Sequence, residues 1–301
     1  MATTEQAQPK RSSILSRISD EMFIVLLMVV VLIALVVAAV LFEPGFAKGQ
    51  TLVNLVTNKW YIVIIGIGVT FILITGNFEL STGGVIAMTG VLSVYYSQAA
   101  NVSENPLANG LGLPYPVAVI LALLGAMSIG ALNAFFVVRL RVPSIIVTLG
   151  TMMVARGIGQ VVTQGAQRNT SLPDEFGLIG NIAIPNTTVK ISVVIMIVLV
   201  IIAFIWERKT VGGRRTYFIG ATSDAARLSG VGVTRHLTLL FILSSVLAGI
   251  TGLLLASEFK AGISSRAMGY EFDALVVSLL GGVSIMGGFG SVLGMFVGAL
   301  I

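Results

Sequence analysis

Long apolar stretches alternate with short polar connections along this chain, and the alternation predicts most of its architecture. The first stretch, Met22–Phe42, holds no charged residue and is closed by Glu43-Pro44-Gly45. As a helix it spans about 31 Å, enough to cross a bilayer once. It is too long for the core of a secretory signal, and no small-residue cleavage site follows it, so it reads as an uncleaved first membrane helix. Further apolar runs occupy 60–75, 85–97, 117–138, 144–163, 189–206, 237–256, 274–286 and 291–301. Neither 60–75 nor 85–97 is long enough to cross as one straight helix, which predicts two short helices meeting at a break. The last run stops at Ile301 without a polar flank. Its final carbonyls would lack partners in hydrocarbon, so we expect the chain to continue beyond it.

Composition agrees with the pattern. Of 301 residues, 56% are hydrophobic and only 10% charged, against about a quarter charged in soluble domains. The mean hydropathy is +1.00. A membrane barrel would read as alternating strands of about ten residues. The expected fold class is therefore all-α, a polytopic transmembrane helical bundle with broken and short helices, 22–301, behind a cytoplasmic tail, 1–21. There is no cysteine and a single histidine, His236. Thiolate metal sites and disulfides are excluded, and a histidine metal site is disfavoured.

The net charge of +5 fits membrane orientation rather than nucleic-acid binding. With the N-terminus inside, the inner connections carry Lys10, Arg11, Arg17, Arg139, Arg141, Arg208, Lys209, Arg214, Arg215, Arg227 and Arg235. The outer ones carry Lys48, Lys59, Arg168, Lys190, Lys260 and Arg266. That bias places the N-terminus in the cytoplasm. A weak internal repeat is also visible. Gly83-Gly84-Val85-x-x-Met88-x-Gly90 matches Gly281-Gly282-Val283-x-x-Met286-x-Gly288, and Ile129–Leu132 echoes Val297–Leu300. A true repeat would point to a two-halved transporter scaffold with broken helices.

Chemistry-bearing residues gather at the breaks. "GNFELSTGG", 76–84, holds Asn77, Glu79, Ser81 and Thr82 between two apolar runs. Ser81 and Thr82 suit the cap of a helix beginning near Gly83, and Glu79 suits the positive end of that helix. Capping alone accounts for these residue types. The functional alternative is that Glu79 lines a solute path, since an acid within the membrane must face protein or water. A second break holds Gly269-Tyr270-Glu271-Phe272-Asp273, where Asp273 suits the cap of the run 274–286, and then Gly287-Gly288-Phe289-Gly290. Arg156, inside an apolar run, either reaches an interface or pairs with a buried acid. Asn77, Glu79, Ser81, Arg156 and Asp273 are the candidate residues of a translocation path.

The inner connection 207–236 is the longest. Within it Thr222, Ser223, Asp224, Ala225, Ala226, Arg227, Leu228, Ser229 and Gly230 suit a short helix, capped by Thr222 or Ser223 and stopped by Gly230. Charge bias alone requires only a solvated basic loop. A capped helix with Arg227 and Leu228 on its surface suits docking to a cytoplasmic partner. Neither a phosphate-binding loop, a Ser–His–Asp grouping nor metal-ligand spacing is present. The chain is not expected to be an enzyme or to bind a cofactor, and any ATP it uses is bound by a partner.

Four colinear segments resemble the permeases of ribose/xylose-type ABC sugar importers, within the branched-chain amino acid/sugar permease superfamily. They are "GNFELSTGGVIAMTG", "VVRLRVPSIIVTLGTMMVARGI", "GRRTYFIGATSDAARLSGVGV" and "GYEFDALVVSLLGGVSIMGGFGSVLGMFVGALI". Glu79 stands where Asp is commoner in such permeases, Phe272 interrupts a usual Glu-Leu-Asp, and the usual Asn before the short helix is absent. The resemblance implies a multi-pass permease of a bacterial inner membrane, passing a monosaccharide or related small polar solute. It implies a tandem ATPase carrying ATP and Mg below it, docked on Thr222–Gly230. It also implies a periplasmic or lipid-anchored solute-binding protein outside, and a second permease copy or paralogue. The alternative is an ion-coupled secondary transporter, for which Glu79, Asp273 and Arg156 would be the titratable or charged groups.

Overall fold

The computed structural model describes residues 20–101, 104–185 and 189–301, so residues 1–19 of the expected N-terminal tail lie outside the described part. The helices are α1 (Asp20–Phe42), α2 (Gly49–Thr57), α3 (Trp60–Ile74), α4 (Thr82–Ser97), α5 (Tyr115–Ala134), α6 (Ser144–Thr163), α7 (Leu178–Asn181), α8 (Ile191–Lys209), α9 (Val211–Ala221), α10 (Ser223–Leu228), α11 (Val233–Phe259), α12 (Tyr270–Leu280) and α13 (Val292–Leu300). Among the described residues there is no strand, only two isolated bridges, Arg168–Gly262 and Ala183–Lys190. Among the described residues, five helical segments are long and apolar enough to cross a membrane: Met22–Phe42, Tyr115–Arg139, Ser144–Thr163, Ile191–Lys209 and Val233–Phe259. The all-α membrane bundle is thus the observed fold.

The two short helices form the centre. Every residue of α3 except Tyr61 is buried, and α4 is buried except at Tyr95 and Tyr96. They do not pack side by side. From the break between them α3 leads to α12, α8 and α13, whereas α4 leads to α6 and α5, and α11 runs along both. By contrast α1 keeps its apolar side chains outward, with Leu41 and Phe42 among the most exposed, and touches the bundle mainly at α13. A helix apolar all round and exposed is suited to lipid.

Helix ends follow local chemistry. Pro116 stands in the first turn of α5, where its missing N–H costs nothing. The run 117–138 leaves α-geometry before its end, through a π-turn at Phe135–Arg139. Ser291 caps α13 by accepting the Gly294 N–H at 3.0 Å. The run 274–286 is not one helix, because α12 ends at Leu280 and Gly281–Ser291 forms a second break. The two glycine patterns of the weak repeat therefore differ in conformation: 83–90 lies within α4, while 281–288 lies in that break. What the two regions share is a pair of short helices joined by a break.

Small residues set the helix spacing. A Cβ on Gly84 would stand 2.4 Å from the Met152 carbonyl oxygen, and one on Gly252 would stand 2.4 Å from that of Ile86. At the end opposite the breaks, the buried Arg168 ties the connections together. Its Nε donates to Gln98 Oε1 (2.8 Å) and its Nη1 to the Val162 carbonyl (2.9 Å), while its backbone pairs with Gly262. Burial pushes its pKa below the usual arginine value.

Gly252→Val should push α4 and α11 apart and lower stability in detergent by about 1–3 kcal/mol, the usual cost of overpacking. Gly150→Ala, where an added Cβ meets nothing within 4 Å, should be neutral or stabilising by up to about 1 kcal/mol. Thermal unfolding of the two variants side by side checks both.

Candidate functional site

The segment 75–81 turns the chain without regular structure, and its polar side chains bond within the protein. Gly76 supplies the positive φ of +76°, a conformation other residues rarely adopt. Asn77 is half-buried, its Nδ2 donating to the Thr75 carbonyl at 3.3 Å. The Phe78 N–H donates to Ser144 Oγ at 2.9 Å, fastening the turn to the start of α6. Glu79 is buried, 1% exposed. Its Oε1 accepts the Ser81 N–H (2.8 Å) and the Ser81 hydroxyl (2.6 Å), and its Oε2 accepts from Asn133 Nδ2 (3.3 Å). Asn133 Nδ2 also lies 3.0 Å from Ser81 Oγ, and Thr151 donates to Asn133 Oδ1 at 2.6 Å. The network therefore joins the turn to the end of α5 and the middle of α6.

Ser81 does stand at the cap position of α4, but its backbone is already helical (φ −78°, ψ −11°) and its side chain makes no capping bond. The hydroxyl turns back to Glu79 instead, because capping needs a non-helical backbone at that residue. Thr82 is the first residue of the helix, with a buried hydroxyl that finds no partner. The expectation that these hydroxyls cap α4 is thus corrected: neither makes a capping bond, and the Ser81 N–H and hydroxyl both donate to Glu79.

Glu271, rather than Asp273, is the second buried acid. Glu271 is 4% exposed and Asp273 is exposed. Asp273 lies inside the first turn of α12, and Gly269 occupies the cap position assigned to Asp273 from sequence. Glu271 Oε1 accepts the Gly269 N–H at 3.3 Å, and Oε2 has no hydrogen-bond partner. That oxygen presses on the first turn of α4, since a Cβ on Gly83 would fall 2.0 Å from it. Two buried carboxylates thus face the positive end of α4. Arg156 is half-buried with Nη1 unpartnered. It forms no salt bridge to an acid among the described residues, where the one ion pair is Lys190–Glu258. Glu79 and Ser81 are therefore brought together, Asn77 lines a cleft of about 450 Å³ with Phe78, Arg141, Pro143 and Ser144, and Arg156 and Asp273 stand apart. Asn133 and Thr151 were not singled out from sequence. The available signal was that Asn133 is the one amide in the run 117–138.

The connection 207–236 contains two helices where one was expected. Thr210 caps α9 by accepting the Gly213 N–H at 3.1 Å. Its two early glycines disguise α9 in the sequence. Next, α10 covers Ser223–Leu228, with Thr222 extended at the cap position. The Thr222 hydroxyl donates to the Ala221 carbonyl at 2.6 Å rather than capping. Gly230 (φ +79°) ends the helix as expected. Ala226 faces inward onto Ile219, Val233 and Leu237. Asp224, Arg227, Ser229 and Leu228, the last 90% exposed, face outward.

The end of α9 meets both helix breaks. A Cβ on Gly220 would fall 1.8 Å from the Ile74 carbonyl oxygen and 2.6 Å from the Gly288 nitrogen. The Gly288 N–H donates to that same Ile74 carbonyl at 2.8 Å. Gly287, at φ +85°, packs on Gly76 and on the Gly220 carbonyl. Three backbone segments touch there with no side chain between them.

Thr151→Val keeps the shape of the side chain but leaves Asn133 Oδ1 without its donor. It should destabilise the protein by about 1–3 kcal/mol, whereas Asp273→Asn, at an exposed position, should stay within about 0.5 kcal/mol. Thermal unfolding in detergent separates the two.

Comparison with known proteins gives these features a context. Residues 51–301 match the family described as "Branched-chain amino acid transport system / permease component". The ribose import permease protein of Haemophilus influenzae is 29% identical over 94% of this chain and 83% of its own length. The autoinducer 2 import system permease protein of an Enterobacter species is 30% identical over 89% and 74%. The galactose/methyl galactoside import permease protein of Salmonella typhimurium is 27% identical over 86% and 78%. No solved structure matches. With apolar helices able to cross a bilayer several times, and a match extending from α2 through both breaks and the α9–α10 corner, the chain is a multi-pass membrane protein of the branched-chain amino acid transport system permease family.

Proposed function

We propose that this chain forms the membrane path of an ATP-driven importer for a monosaccharide or a similarly small, hydroxyl-rich solute. The observation that carries the reading is the outward face of α10, bearing Arg227 and the almost fully exposed Leu228, on a helix pair whose junction at Gly220 abuts both helix breaks. An apolar anchor beside a charge is the composition of a docking spot, and a rigid connection from it to the breaks is what mechanical coupling requires. The names of its relatives, permeases for import of ribose, galactose and autoinducer 2, support the solute class.

In this reading a tandem ATPase binds ATP and Mg and docks on Thr222–Gly230 from the cytoplasm. A solute-binding protein delivers at the opposite face, a second permease copy or paralogue completes the path, and the chain sits in a bacterial inner membrane with its N-terminus inside. The excess of basic residues on the α9–α10 side supports that orientation. Glu79 acts first as an architectural group, since both of its oxygens are engaged within the protein. It meets solute only if α4, α5 and α6 part.

In cells lacking their own ribose and galactose uptake, this chain with its ATPase and binding protein should import one of those radiolabelled sugars. Replacing Arg227 and Leu228 together by Ala should cut uptake at least tenfold while the amount of protein in the membrane is unchanged. Undiminished uptake by that variant removes the docking role. Uptake abolished by a protonophore at constant ATP makes the chain an ion-coupled transporter instead.

A further inference from the structure

A buried carboxylate at the end of α8 makes contacts that neither the solute path nor the docking face explains. Glu207 sits beside Arg208 and Lys209 yet is only 2% exposed. Its two oxygens lie 3.2 and 3.3 Å from the Val292 nitrogen, the first residue of α13, which donates to them. The Tyr217 hydroxyl, from the middle of α9, donates to Glu207 Oε1 at 2.5 Å. That phenol oxygen is also 2.7 Å from the Gly290 carbonyl oxygen, so its one proton is shared between two acceptors. Gly290 and Val292 flank Ser291, where the second break turns into α13.

This arrangement is stronger than a helix cap needs. Ser291 already caps α13 from within. The Glu207 carboxylate adds a negative charge at the positive end of α13 from a different helix. Tyr217 grips both the carboxylate and the carbonyl on the other side of the turn. Charge-assisted bonds of this kind are directional and short, so they resist sliding in a way that apolar packing does not. By contrast, the contact between Gly220 and Ile74, about one turn further along α9, is a close approach of backbones, and the bond there runs between Gly288 and Ile74.

We infer that Glu207 and Tyr217 are positioning residues that clasp the start of α13 to α9, so that movement of the docking helix pair is transferred to the second helix break by hydrogen bonds rather than by contact alone. The inference rests on the coupling role proposed above for α10. It makes the α8–α9 corner the fulcrum: Glu207 anchors from α8, Tyr217 pulls from α9, and the backbone from Gly290 to Val292 is the part moved.

The chain contains no cysteine, so a single reporter can be placed without altering other residues. Met286, 87% exposed within the second break, becomes Met286→Cys. In nanodiscs, with the partner ATPase bound, maleimide labelling at this site should change at least threefold between the nucleotide-free state and the state trapped with Mg-ATP and vanadate. Tyr217→Phe, which keeps the ring, and Glu207→Ala should each reduce that change to less than about 1.5-fold. ATPase binding and hydrolysis should stay within twofold, and the double variant should be no worse than either single one, as expected of residues acting as a unit. Glu207→Gln, which retains an acceptor for the Val292 N–H, should restore part of the response. A full response in Tyr217→Phe, or losses that simply add, overturns the inference. The permease alone supplies a second arm, independent of any ATPase. There, Glu207→Ala should speed hydrogen exchange at the Val292 amide at least tenfold while leaving α4 unchanged. Unaltered exchange overturns the clasp, whereas an absent ATPase with altered exchange overturns only the coupling role of α10.

Discussion

A helix interrupted inside a membrane leaves backbone groups that have no water to turn to, and satisfying them is the constraint on which this structure rests. The break after α3 meets much of it from within the protein. The Ile74 carbonyl accepts from Gly288, the Phe78 N–H is taken by the Ser144 hydroxyl, and the Ser81 N–H is taken by the Glu79 carboxylate. Each partner comes from a different place in the chain. The break therefore exists only where α6, the turn before α13 and the 75–81 segment come together, and moving any one of them exposes a backbone group to an apolar surrounding.

That requirement explains why the polar residues lie where they do. The helices bring Asn133 and Thr151 to the same spot from α5 and α6, so that Glu79 and Ser81 form part of a connected network rather than isolated polar atoms. Such a network holds firmly when complete and is costly when partly broken. The glycines have the matching role on the apolar side. They let α4 approach α6 and α11 until backbone meets side-chain-free backbone, which gives helix association in lipid its packing energy.

The α9–α10 pair belongs to both environments. Its inner edge is fixed by the small core around Ala226, by the glycine seam at Gly220 and by the contacts of Tyr217, while its outer edge leaves Leu228 in the open. A partner binding to the outer edge thus acts on a segment already attached to both breaks. In sequence this pair is flanked by the basic residues Arg208, Lys209, Arg214 and Arg215, and next to them stands the buried acid Glu207.

Local pattern determined the class of this protein, because apolar runs of a given length and the residues that cap or stop a helix act over a few positions. The membrane helices, the first break, the short helix stopped at Gly230 and the family likeness were all legible that way, while the second break, read at 269–273 and 287–290, runs instead from Gly281 to Ser291. Local pattern was silent wherever a polar group is satisfied by a partner far along the chain. Sequence placed Asp273 at a helix cap, yet Glu271 is the acid that folds inward, since position around the α12 axis and the nearness of Gly83 decide burial. It presented Ser81 as a cap, whereas the Ser81 hydroxyl turns back to Glu79, itself held by Asn133 54 residues away. It left α9 within a basic connection, because two glycines early in the helix weaken the helical signal although they give room to the Trp206 ring and the Glu207 backbone. Hydrophobic periodicity encodes which segments leave water, and only the assembled bundle decides which buried polar atoms meet.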